Sequence, residues 1–209
     1  MGMKNYDDLN SLEMDTLKEV GSIGTGNAAT SLSSLIGKPV RIMQPEVRIM
    51  EYNEAIERLG GPEEITAGVM VGMSGQMSGI LLAVQQLEFV KLVLKSMMDA
   101  DVKGYEQLGE MERSALTEVG NIMISTFINA LSGLAGIEID LTVPGFTIDM
   151  QGAIVTVPMA AYGGQSNYIM TIGGDFVCDG KNIPCRLLLS PDIRSLNFLL
   201  RKLGVYSGD

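Results

Sequence analysis

The sequence predicts an α+β fold in which duplicated half-domains, related by a pseudo-two-fold axis, pack two long helices on a shared antiparallel sheet system. Three observations carry this prediction. The chain repeats itself, each copy opens with a long helical pattern, and short apolar or alternating runs follow in each copy. We assign residues 1–209 to a single domain, with repeated units at about residues 11–99 and 110–204.

The two copies are offset by 99 residues. A period of this length is too long for a solenoid and fits the duplication of one half-domain. The recurring positions are mostly apolar, with glycine, glutamate, serine and proline among them. They are Leu17, Glu19, Val20, Gly21, Ile23, Leu32, Ser33, Leu35, Gly37, Pro45 and Ile49, which recur as Leu116, Glu118, Val119, Gly120, Ile122, Leu131, Ser132, Leu134, Gly136, Pro144 and Ile148.

The long helical patterns cover residues 15–36 and 114–135 and are closed by glycines. One side of each helix is apolar and predicted to be core: Leu17, Val20, Ala28, Leu32 and Leu35, then Leu116, Val119, Met123, Phe127, Leu131 and Leu134. The other side is a polar stripe: Glu19, Ser22, Gly26, Thr30 and Ser33, then Glu118, Asn121, Ser125, Asn129 and Ser132. Beyond its glutamate, each stripe lacks charged and long side chains. This suits either the approach of another protein or packing inside this one.

The remaining elements follow in the same order in each copy. Apolar or alternating runs predict strands at residues 68–73, 79–84, 154–157, 168–172 and 186–189. Amphipathic patterns predict closing helices at residues 87–98 and 193–203. Turn signals at residues 60–62 and 162–164 separate these pieces.

Composition narrows the range of functions. The net charge is −10 without a polybasic run, which argues against binding to nucleic acid or to an anionic membrane. Residues 119–137 are uncharged but too polar for a transmembrane helix, and no signal peptide is evident, so we expect a cytoplasmic protein. The chain has no histidine, which excludes Ser-His-Asp and Cys-His sites and most zinc sites.

Cys178 and Cys185 are the two cysteines of the chain. They flank a turn-like segment at residues 179–182 and could face each other across a hairpin. We expect two reduced strand cysteines in a reducing compartment rather than a disulfide or a metal pair.

A specific spacing opens each polar stripe: Asp or Ser, three residues, Glu, two residues, Asn, twenty-two residues, Pro. The second copy has Ser114, Glu118, Asn121 and Pro144 at these positions. The first copy has Asp15, Glu19, Ser22 and Pro45, with serine in place of asparagine. This spacing, found twice at one offset, resembles the signature of the CheC, CheX and FliY phosphatase family.

The resemblance implies a phosphatase of chemotaxis signalling that acts on the aspartyl phosphate of the response regulator CheY. Asn121 would orient the attacking water, and Glu118 would pair with the regulator's lysine. Magnesium belongs to the regulator, so no cofactor or metal is expected on this chain. Ser22 places the activity of the first site in doubt, whereas Glu19 still supports docking.

Other interpretations stay open at this point. The chain could be a non-catalytic adaptor that binds phosphorylated CheY or the receptor deamidase CheD, since residues 131–149 resemble the segment that such families use for CheD. It could also be a flagellar switch component such as FliY. A metabolic enzyme with a small-molecule pocket has no motif to support it.

Overall fold

The computed structural model describes residues 6–161 and 168–205. Two single-turn 3₁₀ helices, Tyr6–Asp8 and Tyr105–Gln107, precede the two long α-helices. The described residues form six α-helices: α1 (Ser11–Ile36), α2 (Tyr52–Arg58), α3 (Leu87–Met98), α4 (Glu110–Ala135), α5 (Gln151–Ala161) and α6 (Ile193–Lys202).

The strands form one sheet of eight within the described residues. They are β1 (Val40–Glu51), β2 (Ile65–Gly75), β3 (Gly79–Gln85), β4 (Ile139–Leu141), β5 (Gly145–Met150), β6 (Tyr168–Cys178), β7 (Lys181–Asn182) and β8 (Cys185–Pro191). All the pairings are antiparallel, in the order β1-β6-β8-β3-β2-β4, with β5 also paired to β2 and β7 paired to β6.

The strand order is symmetric between the two halves, with β3 and β8 side by side in the centre. Within its own half, β3 pairs with β2 and β8 pairs with β6. Each half places the strands that follow its long helix at the outside, β1 in the first half and β4 and β5 in the second. The α+β architecture with a pseudo-two-fold axis is therefore confirmed.

Helices cover both faces of the sheet. The long helices α1 and α4 pack against each other and against one face, where Leu81 and Ala83 of β3 lie in their core. The other face carries α2 and α5, and the alternate residues Leu82 and Val84 pack beneath them. The sheet is thus the middle of three layers.

Most of the predicted elements lie where the sequence placed them, but two predictions were wrong. Residues 154–157 are not a strand, because they belong to α5, where Ile154 and Val155 are buried against α2 and the sheet. A short apolar run cannot distinguish a strand from one buried face of a helix. Leu134, predicted to be core, is 46% exposed near the end of α4. The turn predicted at residues 162–164 lies outside the described residues.

The two cysteines are free and buried. Cys178 pairs with Lys181 across a hairpin whose turn is Asp179 and Gly180, so Cys185 is not its partner in that hairpin. Both turn residues have positive φ, the conformation that this tight turn requires. None of the described helices is both long and apolar enough to span a lipid bilayer.

Candidate functional site

The helix that carries the second candidate site is fixed at both of its ends. Glu110 and Glu112 lie in the first turn of α4, where negative charge stabilises a helix N-terminus. At the other end Gly136 adopts the left-handed conformation with a φ of 62°, and its N–H donates to the carbonyl oxygen of Ser132. Such ends set the register of every side chain between them.

The helix of the first candidate site begins differently. Asn10 caps α1, accepting a hydrogen bond from the backbone N–H of Glu13 at 2.9 Å, while the Glu13 carboxylate accepts from the N–H of Asn10 at 2.9 Å. This reciprocal pair is a capping box, and it keeps the Glu13 side chain buried. Gly37, with a φ of 65°, ends the helix.

Glu118 and Asn121 lie one helical turn apart on the outward side of α4. Glu118 is exposed and Asn121 is half-buried. Residues three apart on a helix are neighbours with Cβ atoms about 5–6 Å apart. Within residues 6–161 and 168–205, neither side chain has a hydrogen bond or an ion pair. A carboxylate and an amide are therefore adjacent and open to an incoming molecule.

Gly120 determines how closely the part of α4 that carries Asn121 approaches the sheet. A Cβ atom on Gly120 would lie 2.6 Å from Cγ2 of Val69 and 2.9 Å from Nε2 of Gln85. The helix can approach β2 and β3 this closely only because residue 120 has no side chain. Gly21 plays the same part in α1, where a Cβ atom would collide with Val47 of β1.

The first candidate site has the same frame with different side chains. Glu19 is exposed and Ser22 is half-buried, as in the second copy. Asp15 is paired with Lys18, with 2.9 Å between Oδ1 and Nζ, whereas the corresponding positions in α4 are Ser114 and Thr117. The first site therefore has an ion pair in the turn that precedes its glutamate, where the second site has two uncharged hydroxyl residues.

The polar stripes face outward. Helical periodicity alone did not distinguish this arrangement from packing inside the protein. Every stripe residue of α1 and α4 is exposed or half-buried. Ser33 is used locally, because its hydroxyl donates to the carbonyl oxygen of Lys38 at 2.7 Å. The remaining stripe positions have only short side chains, so the helix surface that follows each glutamate is flat.

The two prolines of the motif lie outside these helices. Pro45 is in β1, at the irregularity where the pairing with β6 shifts between Met43 and Glu46. Pro144 lies directly before β5, in the gap that separates it from β4. Proline donates no backbone hydrogen bond, which suits such breaks in outer strands. The structure thus places both prolines where an outer strand is interrupted.

Burial perturbs the thiols. It raises the pKa of Cys185 to about 12 and also raises the pKa of Cys178. In the described part of the chain, no group of three or more acidic or thiol side chains could hold a metal ion. The chemistry that the exposed stripe offers is that of one carboxylate in each half, followed by uncharged amides and hydroxyls.

Comparison with known proteins adds three findings. The model of the CheC-like family matches residues 12–48 and 111–148. The chain is 23% identical over 206 residues to the CheY-P phosphatase CheC of Bacillus subtilis, covering 97% of this chain and 99% of that protein. It also resembles the crystal structure of Thermotoga maritima FliY, with a TM-score of 0.74 and 22% identity over 94% of this chain and 98% of that chain. The two segments matched by the family model contain the two candidate sites.

Proposed function

This chain belongs to the CheC-like family, and we propose that it hydrolyses the aspartyl phosphate of a CheY-type response regulator. The observation that carries the proposal is the pair formed by Glu118 and Asn121, which are one turn apart and accessible and which, among the described residues, have no hydrogen bond or ion pair. Further support comes from the sequence similarity to the CheY-P phosphatase CheC of Bacillus subtilis, which extends over nearly the whole chain.

In the proposed reaction Asn121 orients the water. Its carboxamide accepts one hydrogen bond and donates two, so it can hold a water molecule in line with the scissile bond. The water oxygen forms a bond to phosphorus while the bond to the aspartate oxygen breaks. Inorganic phosphate takes up the water's hydroxyl, the other proton passes to solvent, and the regulator regains its carboxylate. Positioning of this kind accounts for much of the catalysis of phosphoryl transfer.

Glu118 is proposed to fix the docking register. Its carboxylate lies on the same outward side as Asn121 and is accessible to a lysine ammonium of the regulator. The magnesium ion that neutralises phosphate charge belongs to the regulator, and this chain supplies no ligand for it in the proposal. The absence of histidine from the sequence is no obstacle to this reaction, because no protein nucleophile is required.

Phosphate release from a phosphorylated CheY-type regulator with magnesium tests the proposal. The wild-type chain should accelerate release, and Asn121→Ala should lose roughly 10²–10⁴-fold of that acceleration while still binding the regulator. Asn53→Ala is the matched control, because Asn53 is an exposed helix residue of α2 on the opposite side of the sheet. A wild-type chain that binds the phosphorylated regulator without accelerating release would favour the adaptor interpretation instead.

A second binding function is proposed for residues 131–149. This segment covers the end of α4, all of β4 and β5 up to Asp149, and it exposes Leu134 at 46% and Val143 at 89%. Exposed apolar side chains favour a protein contact, and we assign the receptor deamidase CheD to it. Leu134→Asp should weaken CheD binding in a titration, while Val157→Asp, an exposed apolar position on α5, should not. Equal effects of both changes would contradict the assignment.

A further inference from the structure

We infer that Gln85 is a positioning residue of the second site, which holds the turn of α4 that carries Glu118 and Asn121. The inference rests on the function proposed above. Gln85 is the last residue of β3 and is completely buried. Its Nε2 donates a hydrogen bond to the carbonyl oxygen of Leu116 at 3.2 Å. The sheet is thereby tied to the backbone of the helix through a side chain.

This hydrogen bond can hold the site residues in place because it is made to the helical turn that carries them. In an α-helix the carbonyl of Leu116 also accepts the N–H of Gly120, four residues later. Glu118 lies inside that turn, and Asn121 follows it directly. Gly120 also leaves room for the amide of Gln85, since a Cβ atom would lie 2.9 Å from Nε2. Gln85 therefore touches the turn at both of its ends.

The amide of Gln85 carries a cost to stability. In the described part of the chain its Oε1 is buried without a hydrogen-bond partner, which destabilises a folded protein. Rotating the amide by half a turn would place Oε1 against the carbonyl oxygen of Leu116, and two acceptors cannot form a hydrogen bond. The helix therefore favours the observed orientation, in which Nε2 donates. An apolar side chain of the same length would remove this cost and the tether together.

The first site lacks the tether. Each residue of β3 corresponds to the residue 106 positions later in β8, so Pro191, beneath the first site, is the counterpart of Gln85, beneath the second. The frame is otherwise shared: Tyr6 donates to the carbonyl of Pro191 at 2.7 Å, and Tyr105 donates to the carbonyl of Gln85 at 3.0 Å.

A small apolar cavity of about 10 Å³ lies beneath the helix of the first site. Its lining includes Leu17, Gly21, Met170 and Pro191, the counterparts of Leu116, Gly120, Val69 and Gln85. A void of this size is at the lower limit for one water, and its apolar walls offer water few partners. Pro191 cannot replace the hydrogen bond that Gln85 donates to α4. The tether is therefore found only at the second site, which is the site with the complete motif.

The variant Gln85→Met separates positioning from structure. It keeps the length of the side chain and removes both the Nε2–H donor and the unpartnered oxygen. We expect kcat for phosphate release to fall about tenfold with KM unchanged, because a 1 Å misplacement of a reacting group can cost about 10²-fold. The melting temperature should stay or rise, and amide hydrogen exchange at residues 117–121 should become faster.

Gln86→Met is the matched control, because Nε2 of Gln86 donates to the carbonyl of Leu59, away from α4. It should leave kcat and the exchange of residues 117–121 at the wild-type values. Unchanged exchange in Gln85→Met would overturn the inference, and so would a loss of melting temperature that matches the loss of activity. If the wild-type chain releases no phosphate, the proposed function fails, whereas the exchange of residues 117–121 still decides whether Gln85 holds the turn.

Discussion

Leu82 and Leu188 pair directly across the two central strands, and each is the counterpart of the other in its own half. The pseudo-two-fold axis therefore passes between these two residues, and both are completely buried under α2 and α5. Because the halves are related about this point, α1 and α4 lie on the same face of the sheet. We therefore expect any difference in activity between the two sites to arise chiefly from their side chains.

Ser22→Asn should create hydrolysis at the first site. Ser22 occupies the position of Asn121 and has a similar exposure, but its hydroxyl is too short to hold water as the carboxamide does. In an Asn121→Ala background, where the second site is silent, the added change should raise steady-state phosphate release severalfold above background.

No gain in the double variant would show that Ser22 is not the only deficiency of the first site. The structure supplies two further differences, the Asp15–Lys18 ion pair in the turn before Glu19 and the presence of Pro191 in place of Gln85. Lys18→Thr, which introduces the residue found at position 117, then tests the first of them in the same assay.

Glu118→Lys should weaken binding to the phosphorylated regulator by about tenfold at low ionic strength, because an attractive pair becomes a repulsive one. The dependence of affinity on salt should also become smaller. Glu57→Lys is the control for net charge, since Glu57 is an exposed residue of α2 on the opposite side of the sheet. Equal losses in the two variants, measured by titration, would mean that overall charge and not the site governs docking.

Gly24→Ala should destabilise the protein by about 1–3 kcal/mol, because the new methyl group overpacks the interface between the long helices. A Cβ atom on Gly24 would lie 2.5 Å from the buried ring of Phe127. Gly26→Ala has nothing within 4 Å of its new Cβ atom and should instead stabilise α1 by about 0.5–1 kcal/mol. Urea unfolding of the two variants measures both changes, and the same sign in both would contradict this account of the interface.

The protein should lose stability as the pH rises from about 9 towards about 12. Burial raises the pKa of Cys185 to about 12, so the folded state keeps a proton that the unfolded state releases near pH 8.5. The unfolded state then binds fewer protons, and the free energy of unfolding falls with pH. Melting temperatures across this range should decline less steeply for Cys185→Ala than for the wild type. Equal slopes would assign the alkaline loss to other groups, such as Tyr105, whose pKa burial also raises to about 12.

The sequence predicted the fold class and the polar stripe, but it indicated neither that the stripe faces outward nor which residues support it from beneath. Helical periodicity placed Glu118 and Asn121 on one side of α4, and the structure shows that side exposed or half-buried. Gly21 and Gly120 were visible as recurring glycines, yet only packing shows that they set the depth of their neighbours.

Gln85 gave no signal in the sequence. The tether to Leu116 spans 31 positions and belongs to no local pattern, and nothing in the sequence marks which face of β3 lies under α4. The helix α5 was missed for a related reason. Its apolar run is short, and only the contacts of Ile154 and Val155 with the sheet and α2 determine its conformation.

The central position of β3 and β8 means that neither half can satisfy its innermost strand alone. Each strand takes its inner row of backbone hydrogen bonds from the other half. A half expressed separately would present a free edge, with Leu81, Leu82 and Ala83 losing the neighbours that bury them completely. Two such pieces could regain the full sheet only by associating through that edge. Covalent linkage in one chain makes this association intramolecular and independent of protein concentration, and it leaves each half free to keep different residues at its own site.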